Sequence, residues 1–94
     1  MAMRSPVEKI VAHRATNYPN AHWMWQEFCK ENRDTIVDAK RFGYFRTRLT
    51  NGEVHYFVPN SQWLMWTRGR TYWLYDELYH NGYKVKSNEN PRHI

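Results

Sequence analysis

The chain contains a single cysteine, Cys29, among 94 residues. One thiol cannot form an internal disulfide, and without Cys-x-x-Cys spacing it cannot anchor a zinc site, so the expectation is a reducing compartment. Glycine is scarce as well. Gly43, Gly52, Gly69 and Gly82 are the only four, and none precedes Lys-Ser or Lys-Thr. The Gly-x-x-x-x-Gly-Lys-Ser/Thr loop that cradles nucleotide phosphates is therefore missing. No apolar run reaches membrane-spanning length, and the first residues lack an apolar signal core. The expectation is a cytoplasmic protein that makes no membrane contact.

Catalytic and metal-binding constellations are also missing. Ser5, Ser61 and Ser87 sit in capping or tail contexts, without a Gly-x-Ser-x-Gly elbow. His22 and Cys29 are two helical turns apart, but two ligands are too few for a metal and no His-x-x-x-His pair adds others. Cys29 lies among Met24, Trp25 and Phe28, the setting of a buried, inert thiol. No cofactor, metal or enzymatic activity is expected.

What the chain does have is aromatic side chains and positive charge. Five Trp, seven Tyr and four Phe accompany 14 Lys and Arg against nine Asp and Glu, a formal charge of +5. Basic surfaces interleaved with rings suit nucleic acid or nucleotides, because Arg and Lys meet phosphate while rings stack on bases. Large rings also fill the core of a small domain, and most are assigned there. The length gives one domain, residues 1–86, followed by a polar tail over 87–94 expected to be loose.

Ser5-Pro6-Val7-Glu8 predicts a capped helix start, with Val7, Ile10 and Val11 on one face and an end near Ala15. Asn17-Tyr18-Pro19-Asn20 then breaks the chain. A second helix is predicted from about Ala21 to Asn32, with Trp25, Phe28 and Cys29 on one face. Trp23 and Trp25 would point roughly 200° apart, so one of them needs a cover outside the domain, either a second copy or a protein partner. Thr35-Ile36-Val37 reads as a strand, with a helical continuation as the alternative. Phe42–Thr50 and Glu53–Val58 flank Asn51-Gly52, the strongest hairpin signal in the chain. A two-residue loop there would pair Leu49 with Val54, Thr47 with Tyr56 and Phe45 with Val58 on an apolar face, and Arg48 with His55 and Arg46 with Phe57 on a basic one. A short turn through Trp63–Trp66, a strand over Thr71–Tyr75, a helical piece at Leu78–His80 and a last strand at Tyr83–Val85 complete the reading. The predicted class is α+β, two N-terminal helices packed on a small, mainly antiparallel sheet built around the 42–58 hairpin.

The stretch Arg68-Gly69-Arg70-Thr71-Tyr72-Trp73-Leu74-Tyr75-Asp76-Glu77 is a tight turn, an aromatic and apolar run, and two adjacent carboxylates. With the preceding Asn51-Gly52 hairpin, residues 42–78 resemble the acidic-strand region of the ATPase domain in phage terminase large subunits. The resemblance implies a buried strand ending in a metal-binding acid, Asp76, and a water-activating acid, Glu77, and an origin in a phage or mobile element. The other reading of Asp76-Glu77 is a carboxylate cap on the next helix.

The candidate binding face comprises Tyr44, Arg46, Arg48, His55, Phe57, Arg68 and Arg70. Guanidinium forks recognise phosphate in a bidentate way and neighbouring rings hold bases. A solvated basic face with no ligand is the plain alternative. The function expected is a small non-enzymatic protein, phage- or mobile-element-derived, that binds nucleic acid or a nucleotide, in the host cytoplasm if phage-encoded. The alternative is a phage-type inhibitor or adaptor that binds a host protein, or a homo-oligomer, through Trp23, Met24, Trp63 and Trp66. The third is an ATPase fragment that works only beside a partner carrying the phosphate loop.

Overall fold

Ile10-Val11-Ala12-His13 belongs to a strand, β1 (Lys9–Ala15), and not to the helix expected there. The computed structural model describes residues 9–76 and 92–93. β1 lies in the middle of a sheet and is covered on both faces, so Ile10 and Ala12 on one face and Val11 and Ala15 on the other are all apolar. Such a run carries the same signal as a short helix, and the partners that decide the matter are some 40 or more residues away in sequence. The cap expected at Ser5–Glu8, the pieces at Leu78–His80 and Tyr83–Val85, and Glu77 lie outside the described residues.

The second expected helix is present as α1 (Tyr18–Glu31) and begins earlier than its apolar stripe. Asn17 is the cap: its side chain accepts the Asn20 N–H at 2.9 Å, and Pro19 falls in the first turn, where it needs no donor. At the other end the Asn32 backbone N–H and side-chain amide both donate to the Phe28 carbonyl. After a 3₁₀ turn (Arg33–Thr35), β2 (Ile36–Arg41), β3 (Phe45–Leu49) and β4 (Glu53–Pro59) follow. Then come α2 (Asn60–Thr67), β5 (Thr71–Asp76) and a two-residue β6 (Arg92–His93).

The strand order is β2-β3-β4-β1-β5-β6. β1 runs parallel to both β4 and β5, and the other neighbours are antiparallel. The class is α+β as expected, but the helices sit between strands along the chain and the sheet is mixed. α1 and α2 lie on opposite faces of it. Ala21 and Met24 of α1 pack with Ala15, Phe45 and Phe57, while Trp63 and Trp66 of α2 pack with Ala12, Val58, Tyr72 and Leu74. Alternate residues of β1 and β4 thus feed two separate cores. Phe57 is fully buried, and truncating such a ring costs about 3–5 kcal/mol.

The β3–β4 hairpin forms with a register one residue away from the expected one. Phe45 faces Phe57, Arg46 faces Tyr56, Thr47 faces His55 and Arg48 faces Val54. The loop holds three residues, Thr50-Asn51-Gly52. Gly52 N–H closes a turn on the Leu49 carbonyl at 3.2 Å, the Asn51 side chain accepts from Glu53 N at 2.9 Å, and Gly52 adopts φ +92°. A turn followed by a left-handed glycine is the three-residue solution to a right-twisted hairpin, and Asn-Gly serves it as well as the two-residue one. The shift moves His55 and Phe57 to the α1 side of the sheet.

Because no L side chain accepts φ +92° without strain, Gly52→Ala is expected to lower stability by about 1–2 kcal/mol. Gly52→Asn should lose less. Urea unfolding midpoints of the two variants against the parent check this.

Candidate functional site

On the α2 side, α2 packs against β4 and β1. The same side of β2 and β3 carries Asp38, Lys40, Arg46 and Arg48, because cross-strand partners Asp38–Arg48 and Lys40–Arg46 point the same way. A row of rings runs along the border between this basic area and α2. Phe42 and Tyr44 lie 5.1 Å apart between centroids, Tyr44 and Tyr56 5.9 Å, and Tyr56 and Trp66 4.9 Å. A guanidinium stands at each end. Arg46 lies 5.4 Å above the Phe42 ring, and Arg70 lies 5.5 Å from Tyr56 and 4.7 Å from Trp66. Arg70 is held by its Nε–H, which donates to the Trp66 carbonyl at the end of α2. The Nε of Arg46 and the indole Nε1 of Trp66 are buried with no hydrogen-bond partner among the described residues.

The structure therefore brings together Tyr44, Arg46, Arg48 and Arg70, with Arg68 exposed on the loop beside them. His55 and Phe57 do not join this group. They are buried on the opposite face, because the three-residue loop shifts β4 by one position. Tyr56 takes their place. A two-residue loop would set it on the apolar side, and only the register moves it. Phe42 and Lys40, at the other hairpin, also belong to the surface.

Of the residues expected to anchor a protein partner, Met24, Trp63 and Trp66 are interior. Met24 sits on the buried face of α1, and the two indoles form the α2-side core with Tyr72. Trp23 points outward and is 43% exposed, whereas Trp25 turns inward, stacks 4.7 Å from Phe45 and donates its Nε1–H to Thr47 Oγ1. Leu64 and Met65 of α2 are the most exposed large apolar residues described, at 76% and 70%. They follow from helical geometry once Trp63 and Trp66 point inward.

The carboxyl ends of the three parallel strands β1, β4 and β5 lie along one edge. There Arg14 donates through Nε to Asn60 Oδ1 at 2.7 Å and lies 5.1 Å over the Trp63 ring. Asp76 ends β5 in register with Arg14. The connection from β1 into α1 is Thr16-Asn17 alone, and the Asn17 side chain already occupies the helix start. Two residues without glycine leave no eight-residue phosphate loop at this turn.

A separate polar line runs through the α1-side core. Glu53 Oε1 lies 2.8 Å from His55 Nε2, and His55 Nδ1 lies 2.8 Å from His13 Nε2. Lys9 Nζ stands 3.8 Å from the other carboxylate oxygen. Phe57 stacks on His13 at 4.2 Å and Phe28 lies 4.4 Å from His55. The His55 hydrogen bond, with Lys9 nearby, holds the Glu53 carboxyl below its ordinary range. Burial lowers His55 below the ordinary imidazole value, against the opposing pull of Glu53. A carboxylate only accepts, so His55 donates from Nε2, its Nδ1 accepts, and His13 donates from Nε2. On α1, burial raises the Cys29 thiol, whose Sγ lies 3.7 Å from Thr47 Oγ1, so it is not a ready nucleophile.

Among the described residues no cluster of three or more His, Cys, Asp or Glu is placed to hold a metal ion, and no helix is long and apolar enough to cross a membrane. No protein-family model matches the chain, and no curated protein or solved structure matches it.

The histidine line sets a pH dependence. Folding holds both His55 and Glu53 below their free values of 6.5 and 4.5, so the unfolded chain binds protons first as pH falls. Stability is expected to be full above about pH 6.5, to decline from there as His55 comes under protonation, and to fall further as Glu53 titrates. His55→Gln keeps both hydrogen-bonding roles without a titrating ring. Urea midpoints between about pH 7 and pH 5 should be flatter in this variant than in the parent.

Proposed function

We propose that the chain is a small binding protein whose ligand is nucleic acid or a nucleotide, held on the α2-side surface of β2, β3 and β4. The observation that carries this reading is the partly exposed ring row Phe42–Tyr44–Tyr56, which ends against the buried Trp66, with Arg46 and Arg70 at its two ends. Arg48 and Lys40 extend positive charge along the sheet, and Asp38 is the acid set among them. Guanidiniums supply planar donor forks for phosphate, and rings supply faces for bases. The net charge of +5 supports the same partner. An origin in a phage or mobile element, from the terminase-like stretch, belongs to this proposal. Under the same proposal Asp76 and Glu77 act as an acid pair only beside a partner that supplies the phosphate loop, because the turn after β1 holds two residues.

A second reading has a specific observation behind it. Leu64 and Met65 stand side by side on the outer face of α2, and α2 carries no charged residue. With Trp23 exposed on α1, these residues give a protein partner, such as a host protein, an apolar foothold.

Anisotropy of labelled oligonucleotides over a salt series tests the first reading. Affinity should fall steeply with salt, and Arg46→Ala with Arg48→Ala should reduce the logarithmic salt slope by about 0.7–0.9 for each phosphate no longer neutralised. Undetectable binding of both oligonucleotides and a free nucleotide at low salt overturns it. For the second, sedimentation of the parent against Leu64→Ser with Met65→Ser should show self-association abolished in the variant. A parent that stays monomeric at high concentration removes the homo-oligomeric form of that reading.

A further inference from the structure

We infer that the surface takes single-stranded nucleic acid in preference to duplex or free nucleotide; this rests on the nucleic-acid reading above and narrows it. Base faces in a duplex are covered by their neighbours, so rings can stack on bases only where the strand is unpaired. The outer part of the row reaches solvent, while its inner end packs on the α2-side core. Phe42 is 45% exposed, and Tyr44 and Tyr56 are half-buried beside it. Arg46 and Arg70 sit on these same rings, so a base that stacks on the row brings its phosphates to the guanidiniums at either end.

The elements that could read a groove are unsuited to it. A major groove admits an α-helix or a two-stranded ribbon, guided by cations against the phosphates on both sides. α2 has no charge, and its outer face is apolar at Leu64 and Met65. On α1, Lys30 is paired with Glu27 at 3.6 Å. The β2–β3 ribbon does not project, because its tip leans on α2: a Cβ placed on Gly43 would come within 3.2 Å of the Gln62 side chain. What is left is the partly exposed ring row with a guanidinium at each end.

A free nucleotide satisfies one ring and one guanidinium. A strand of several nucleotides engages the row and both ends together, and the second and third contacts form without a further cost in translational freedom.

The test compares three probes on the full chain: an oligothymidine of about 12 nucleotides, within the site size of small single-strand binders, a duplex of the same length, and AMP. Tighter binding of the single strand than of duplex by about tenfold or more, with AMP competing only weakly, is expected. Phe42→Ala removes a half-exposed ring and is chosen because the fold does not rest on it; circular dichroism confirms that. It should weaken the single strand about fivefold or more, leave duplex binding near its parent value and keep the salt slope unchanged. Equal or tighter binding of duplex, or an effect of Phe42→Ala on the salt slope alone, overturns the single-strand inference while the nucleic-acid reading stands. AMP as effective as the oligonucleotide overturns it in favour of a nucleotide site. Failure of all three probes at low salt overturns the nucleic-acid reading itself.

Discussion

The pairing of β3 with β4 governs the rest of the molecule, since a strand shows alternate side chains to opposite faces and a shift of one position exchanges them all. With Thr47 opposite His55, both lie under α1. Thr47 Oγ1 then receives the Trp25 indole and meets Cys29, which fixes α1 on the sheet. Phe45 and Phe57 come together beneath Met24. The same pairing sets Arg46 beside Tyr56 on the far side, where Tyr56 can join Tyr44 to Trp66. One glycine at φ +92° thus determines both what α1 covers and what the other face presents.

A core lined with Phe28, Phe57 and Val11 would ordinarily exclude titratable groups, and the α1 side nonetheless holds His13 and His55. The arrangement is tolerated because each polar atom named in the line has a neighbour of the opposite kind. The carboxylate end reaches solvent beside Lys9, and the ring stack excludes water from the rest. Since His13 and His55 belong to β1 and β4, the line also spans a parallel pair whose backbone bonds are slanted and somewhat weaker than antiparallel ones. Replacing one member by an apolar residue leaves another unsatisfied, which is the expensive way to break such a network.

Much of this architecture is legible in the sequence. α1, the hairpin strands, the turn of helix at Trp63–Trp66 and the strand Thr71–Tyr75 appear where their patterns place them. Local signals reach that far. β1 is not legible, because a strand buried on both faces loses its alternation and its neighbours come much later in the chain. Sidedness within the hairpin is not legible either, since Asn51-Gly52 is compatible with loops of two and three residues. Composition and proximity suffice to find Tyr44, Arg46, Arg48 and Arg70 of the candidate surface. The two-residue register wrongly adds His55 and Phe57 to it and misses Tyr56 for the same reason. Trp63 and Trp66 show the remaining ambiguity: the same large rings suit an interface and a small domain's core, and here the core takes them.

The position of β1 carries a consequence for how the chain reaches this structure. The strand at the centre of the sheet is the first of the described elements to be made, and its neighbours β4 and β5 are near the last. Neither α1 nor β1 has its proper floor until residues beyond 53 arrive, so contacts that stabilise the centre span most of the chain. Folds of this kind close large loops before they gain from doing so, and they assemble slowly compared with helical bundles of equal size. During that interval Ile10-Val11-Ala12 is an apolar strand with both edges open. The charges that flank it, Lys9 and Arg14, are the local guard against pairing with the wrong chain.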